Sequence, residues 1–150
     1  METTAAFTGF RCTDCGTHAD VDATRCPDCG GHLDATYDHG EIVVAREHLE
    51  PGTSAGIAAY EELLPIDGDR LVTAGEAGTP LLSCPGLAED LGVGAVYVKD
   101  EGASTTGAAL DRGMALAVTA AREHGATDVA LPSMGNGGQA AAAYAARAGL

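Results

Sequence analysis

Residues 129–139 read Val129-Ala130-Leu131-Pro132-Ser133-Met134-Gly135-Asn136-Gly137-Gly138-Gln139, and Ala140 to Arg147 that follow are almost all alanine. A short apolar run bounded by Asp128 and Pro132 predicts a buried strand. The Gly-rich turn then feeds a helix over 139–147 that stops at Gly149. Upstream, Leu110, Met114, Ala117, Val118 and Ala121 recur at helical spacing, with Asp111, Arg112, Arg122 and Glu123 between them and Gly125 at the C′ position. Val96-Tyr97-Val98, β-branched and aromatic, predicts a second buried strand. Strand, helix, strand, helix is the pattern of an α/β fold with a parallel sheet.

Further towards the N-terminus, Ala58 to Leu64 predicts a short helix stopped by Pro65. Asp67-Gly68 predicts a turn, and Arg70 to Thr73 a strand. Before Gly40 the texture is different: four of the five cysteines sit there among short polar turns. A boundary at 38–42 divides the chain into 1–40 and 41–150.

Composition narrows the function. The chain has 150 residues, 45% hydrophobic and only 4% aromatic, so its core is built from Ala, Val and Leu. Asp and Glu number 22 against 8 Lys plus Arg, a net charge of −14 that repels phosphate backbones and anionic lipid, so neither nucleic acid nor a membrane surface is an expected partner. Lys99 is the sole lysine. An acidic, lysine-poor surface suits strong salt, which points to a halophilic cytoplasm. Met1 to Ala6 show no basic segment leading into an apolar one, so no secretory signal is expected. The uncharged stretch 129–146 is broken by Pro132 and three glycines and is not expected to span a membrane.

Cys12-x2-Cys15 and Cys26-x2-Cys29, ten residues apart, are spaced for four thiolates to enclose one tetrahedral Zn²⁺, an arrangement that resembles a rubredoxin-like zinc ribbon. Gly16 and Gly30 each follow a second cysteine, where tight turns bring backbone N–H groups to sulfur. Two disulfides or a redox CxxC pair are the competing assignments. Four cysteines close the coordination sphere, so the metal's role is structural. Between Arg11 and Asp34 two arginines face five aspartates, the wrong sign for a DNA-binding ribbon. His18, His32 and His39 are left over and expected to be exposed, and Cys84 is expected to be a small buried apolar residue.

Four further segments carry a resemblance. Gly75-Glu76-Ala77-Gly78-Thr79-Pro80-Leu81 is similar to a G-E-G-x-T-P-L turn, Tyr97-Val98-Lys99-Asp100-Glu101-Gly102 to a strand-ending V-K-x-E, and Ser133-Met134-Gly135-Asn136 to an S-x-G-N loop. Ser104 to Gly113 lies between them in the place of N-P-T-G-S-F-K-D-R-G. In this order, after the ribbon and Tyr60-Glu61-Glu62-Leu63-Leu64-Pro65, they resemble threonine synthase and its relatives among the fold-type II pyridoxal-phosphate enzymes. The resemblance implies a parallel-sheet α/β lobe of the tryptophan synthase β-like kind preceded by the ribbon, and pyridoxal phosphate as cofactor. It implies that Asn136, with Ser133, Gly135 and Gly137 around it, forms the loop that faces the cofactor ring or a substrate carboxylate.

Leu110 stands at the family's Schiff-base lysine position. That lysine's tasks need an amine of adjustable pKa, which leucine lacks, and Lys99 belongs to the V-K-x-E segment instead. The resemblance also puts the phosphate-gripping loop in a second lobe with no counterpart here. No catalytic residue is therefore assigned. The expectation is a truncated threonine synthase-like protein, inactive as a single chain. The other possibility is one half of a split pyridoxal-phosphate-dependent lyase acting on an amino acid such as O-phosphohomoserine. The expected partners are a separately encoded C-terminal lobe, a full-length relative, or a second copy through self-association.

Overall fold

The computed structural model describes residues 2–43, 56–76 and 78–150; Ala77 of the G-E turn lies outside them. Strands β1 (Phe7–Cys12), β2 (His18–Ala19) and β3 (Leu33–Tyr37) form an antiparallel sheet in the order β2-β1-β3. The register pairs Phe10 with both Ala19 and Ala35. Phe7 anchors the sheet edge-on to Phe10 and Tyr37, with ring centroids 5.3 and 5.7 Å apart. Cys12 ends β1, and Cys15, Cys26 and Cys29 lie in the loops outside the strands.

The segment read as a helix over 58–64 is 3₁₀, Gly56–Leu63, kinked at Tyr60, and a 3₁₀ turn, Gly68–Arg70, follows Pro65. Asp67 caps that turn, its carboxylate accepting from Asp69 N–H at 3.0 Å. Residues 71–73 are not the expected strand. Val72 N–H donates to Thr119 Oγ1 at 2.8 Å, so the segment is satisfied by a helix side chain and not by a neighbouring strand.

Beyond it come β4 (Leu81–Ser83), α1 (Pro85–Leu91), β5 (Tyr97–Lys99), α2 (Leu110–Glu123) and α3 (Asn136–Ala148). β4 and β5 pair antiparallel, Leu82 opposite Val98. Among the described residues no parallel pair forms, contrary to the parallel sheet expected. β5 is a strand as expected, yet Tyr97 and Val98 are exposed, not buried. Val129–Leu131 has no strand assignment and is exposed as well, because no partner strand among the described residues lies beside it.

The core lies where α2 crosses α3: Ala115, Val118 and Tyr144 are essentially inaccessible and pack with Ile57, Leu71 and Val72. α2 buries Asp111, Ala115, Val118 and Thr119, one position round from the expected stripe, and leaves Leu110 and Ala117 exposed. Gly125 and Gly149 close α2 and α3 in the left-handed conformation, as expected of glycines in those places. The cysteine-bearing sheet is tied to this body by Thr4 Oγ1 donating to Leu64 C=O at 2.6 Å and by Asp22 beside His124 at 3.5 Å. Cys84 is half-buried rather than buried, and His18, His32 and His39 are exposed.

Candidate metal centre and cofactor loop

The sulfurs of Cys12, Cys15, Cys26 and Cys29 all lie within 4.8 Å of one another, close enough to share one metal ion. Cys12 Sγ is 3.5 Å from Cys29 Sγ, and Cys15 Sγ is 3.5 Å from Cys26 Sγ. Cys12 and Cys26 are buried, Cys15 and Cys29 exposed. Each knuckle is locked by the same pair of backbone bonds. Gly16 N–H donates to Cys12 C=O at 3.0 Å and Gly30 N–H to Cys26 C=O at 2.9 Å, both glycines at positive φ. Cys12 N–H reaches Thr17 C=O and Cys26 N–H reaches Gly31 C=O. The Thr17 hydroxyl and backbone bring Cys15 down to about 6. At Cys29 the Gly31 N–H favours the thiolate, but the three neighbouring sulfurs outweigh it and push the thiol up to about 12. Four thiols this close cannot all ionise without a cation among them, and a soft divalent ion such as zinc suits the all-sulfur set.

The residues expected to form the cofactor loop are brought together. Ser133 Oγ accepts from Gly135 N–H at 3.2 Å and from Gly138 N–H at 2.7 Å, so it folds the loop onto the first turn of α3. A Cβ at Gly138 would lie 3.0 Å from Ser133 Cβ and 3.2 Å from Ser133 Oγ, tighter than most side-chain contacts, whereas one at Gly137 would meet Ser133 Oγ at 3.4 Å and Leu110 Cδ1 at 3.8 Å in ordinary contact. Leu110, Pro132, Ser133, Met134, Gly135, Asn136 and Gly137 surround an open pocket of about 490 Å³. Gln139 Nε2 donates to Thr106 C=O at 2.9 Å and holds α3 against the segment leading to α2.

Two polar clusters gather at the first turn of α2. Asp111, fully buried, accepts from Ser104 Oγ at 2.9 Å, from Thr106 N–H at 2.7 Å and from the Thr106 hydroxyl. Burial pushes its carboxyl up, but these donors outweigh burial and hold it below the ordinary range. In the second cluster Thr79 Oγ1 donates to Glu101 Oε1 at 2.9 Å, and the Arg112 guanidinium bonds both Glu101 oxygens and Thr79 Oγ1. The Arg112 side chain and the Thr79 hydroxyl hold Glu101 below its usual value. Lys99 Nζ donates to Thr79 C=O in the same cluster. The roles of Ser104, Thr106 and Glu101 escape sequence reasoning; a hydroxyl a few residues ahead of a helix that carries Asp in its first turn is the signal that could have found the first two.

These residues do not fit a covalently held pyridoxal phosphate. None of the side chains lining the pocket is an amine, Leu110 bringing only an alkyl group, and the chain's single lysine amine is bonded to the Thr79 carbonyl.

The chain belongs to the pyridoxal-phosphate dependent enzyme family, which matches residues 72–150. It is 43% identical over 143 residues to a threonine synthase of Methanocaldococcus jannaschii, an alignment covering 93% of this chain and 35% of that protein. It is 42% identical over 117 residues to a threonine synthase of Methanosarcina acetivorans, covering 78% and 28% of the two chains. To a threonine synthase of Halalkalibacterium halodurans it is 49% identical over 92 residues, 61% and 26% of the two chains. The chain thus spans about a quarter to a third of the length of the curated relatives it matches.

Proposed function

We propose that this chain is the metal-stapled first part of a threonine synthase-like protein and that, by itself, it carries no lyase activity. Its organisation on this reading is a zinc ribbon over 1–40 and part of an α/β cofactor domain over 41–150. The observation that supports it most directly is Leu110 Cδ1 beside Gly137 in the loop pocket. An enzyme of this family needs an amine to hold the cofactor covalently and to move protons, and this pocket presents none. What the chain's own residues do is structural. Ser133 shapes the loop, Asp111 fastens the start of α2, and Arg112 with Glu101 ties α2 to the Thr79 turn. The acidic, lysine-poor composition supports a salt-rich cytoplasm as the setting.

The test is chemical. The metal-loaded chain is incubated with pyridoxal phosphate, reduced with borohydride and mapped by peptide mass. With Lys99 engaged at Thr79, the expected outcome is no cofactor adduct on a side chain and no phosphate release from O-phosphohomoserine. An adduct on Lys99, or turnover by this chain alone, would overturn the proposal.

A further inference from the structure

A second cleft lies away from the cofactor loop, on the seam between the cysteine-bearing sheet and α2. One wall is a sheet face: Phe10 stands opposite Ala35 in the register, and Tyr37 follows two residues on. The other wall is the α2 face of Gly113, Leu116 and Ala117. The cleft measures about 560 Å³ and shares no lining residue with the loop pocket. Proteins hold small organic molecules in cavities of roughly 300–1,000 Å³. Apart from Asp22, Thr24, His124 and the Tyr37 hydroxyl, the lining is apolar. Burial raises the Tyr37 phenol above its ordinary value, the mark of a hydroxyl held against apolar surroundings. Gly113 lies inside α2, where glycine weakens a helix, yet a Cβ there would meet nothing within 4 Å. Packing does not demand that glycine; its effect is to leave the cleft unfilled.

Charge selects the occupant. The lining holds one acid, Asp22, and neither lysine nor arginine. Asp22 Oδ1 lies 3.5 Å from His124 Nδ1, and the aspartate remains 78% exposed, placing its charge at the mouth. The chain around it carries a net charge of −14, which draws cations and repels anions. Phe10 and Tyr37 bring two rings, which favour a flat apolar body and a cation beside it. We infer that this cleft binds a small aromatic amine, its ring between the sheet and α2 and its ammonium group at the Asp22 carboxylate. The inference is independent of the proposed function, since it uses neither Leu110 nor the loop. Such a ligand touches both the cysteine-bearing sheet and the helix, so it fastens one to the other. By linkage, metal removal that releases the sheet takes away one wall and with it the site.

The test uses the full chain, metal-loaded, with tryptamine as the probe. The chain has no tryptophan, so indole fluorescence reports the probe alone. Tryptamine should bind saturably, one per chain, with a Kd on the order of 1 mM or below. Its neutral analogue tryptophol should bind about 3- to 5-fold more weakly, and Asp22→Asn should bring tryptamine down to the same level, the small factor due to an exposed carboxylate. The anion indole-3-acetate should bind more weakly than either. Ala117→Phe, which puts a ring into the cleft from an exposed helix position, should abolish binding while metal content and melting point stay those of the parent. Gly113→Leu, one helical turn away, fills the same cleft and replaces that variant should it misfold. Amide shifts on binding should gather at 21–24 and 113–120 and spare 133–137. Absence of saturable binding at millimolar probe overturns the inference, as do binding that survives both cleft-filling variants and shifts that map to 133–137. Equal binding of amine, alcohol and acid would overturn the choice of an amine. A parent chain that sediments as a dimer, and that Ala117→Phe turns into a monomer, would give the cleft to a second copy instead.

Discussion

The hydroxyl of Tyr144 donates a 2.9 Å hydrogen bond to Oε2 of Glu76, joining the middle of α3 to the G-E turn 68 residues earlier. Both side chains are inaccessible. The same Oε2 accepts from Thr73 Oγ1 at 2.9 Å and from Ala74 N–H at 2.8 Å, whereas Oε1 has no hydrogen-bond partner and faces Gly56. The bond therefore joins a buried carboxylate and residues 73–74 to α3.

Tyr144→Phe should cost about 1–3 kcal/mol, the range for leaving a buried acceptor short of a donor, read from chemical denaturation midpoints. Burial, and then the bond to Glu76, raise the Tyr144 phenol above its usual value near 10. A raised folded pKa gives stability that is complete below the unfolded value and is lost as pH climbs beyond it. Unfolding should thus set in above about pH 10 in the native chain, tracked by tyrosinate absorbance, and the alkaline slope should shrink in Tyr144→Phe. An unchanged slope would mean that Tyr144 ionises freely.

Asp111 behaves in the opposite sense. Its carboxyl is held below the ordinary range, so its contribution is present above the unfolded value near 3.9 and is lost as pH falls through the lower folded value. Asp111→Ala strands the Thr106 N–H and the Ser104 hydroxyl and should cost about 2–3 kcal/mol at neutral pH. The deficit should narrow in acid titrations below about pH 4. A constant deficit across that range would assign the loss to packing alone.

Helices α2 and α3 and the cysteine cluster were legible in the sequence because their signals are local, whereas α1 was not expected and the 58–64 segment is 3₁₀. Thiolates with two residues between them, alanine runs and glycine C-caps each act within a few residues. The buried face of α2 was misplaced by one position because it carries Asp111 and Thr119, polar residues satisfied by Ser104, Thr106 and Val72 that hydrophobic periodicity cannot register. The strands expected at 70–73 and 129–131 were misread for another reason. β-branched residues favour extended backbone, but a strand also needs a partner. Val72 finds a threonine hydroxyl instead, and 129–131 find nothing among the described residues. At the loop, Ser133, Gly135, Asn136 and Gly137 line one pocket, and their juxtaposition with Leu110 is the part that required coordinates.

One metal ion per chain is expected by elemental analysis, with zinc favoured by the four sulfurs. Chelation should release β1–β3 first, because structural zinc sites contribute about 10–16 kcal/mol and this sheet has little other core. Exchange protection at 7–12 and 33–37 should vanish while that at 115–119 persists. Protein purified without chelators that carries markedly less than one equivalent would count against the metal centre.

Leu110→Lys places an amine at the pocket lined by residues 132–137. The variant should acquire a borohydride-reducible pyridoxal-phosphate adduct at position 110, with none on Lys99 in the same digest. Its melting point should stay within a degree or so of the parent's, since Leu110 is 48% exposed. Equal labelling of both lysines would show that the pocket gives the cofactor no preference.

The matched left-handed turns at Gly16 and Gly30 make the two knuckles backbone copies of one another. A Cβ at either place imposes strain on its turn even though all four cysteines survive. In population-genetic terms the ribbon is therefore a six-position locus, four cysteine codons and two glycine codons. Among alleles of this gene in natural isolates, selection for the bound metal would leave those six codons free of amino-acid change while the polar positions between them drift. A ribbon that has become a bystander would lose the glycines at the background rate, before any purified protein showed the difference.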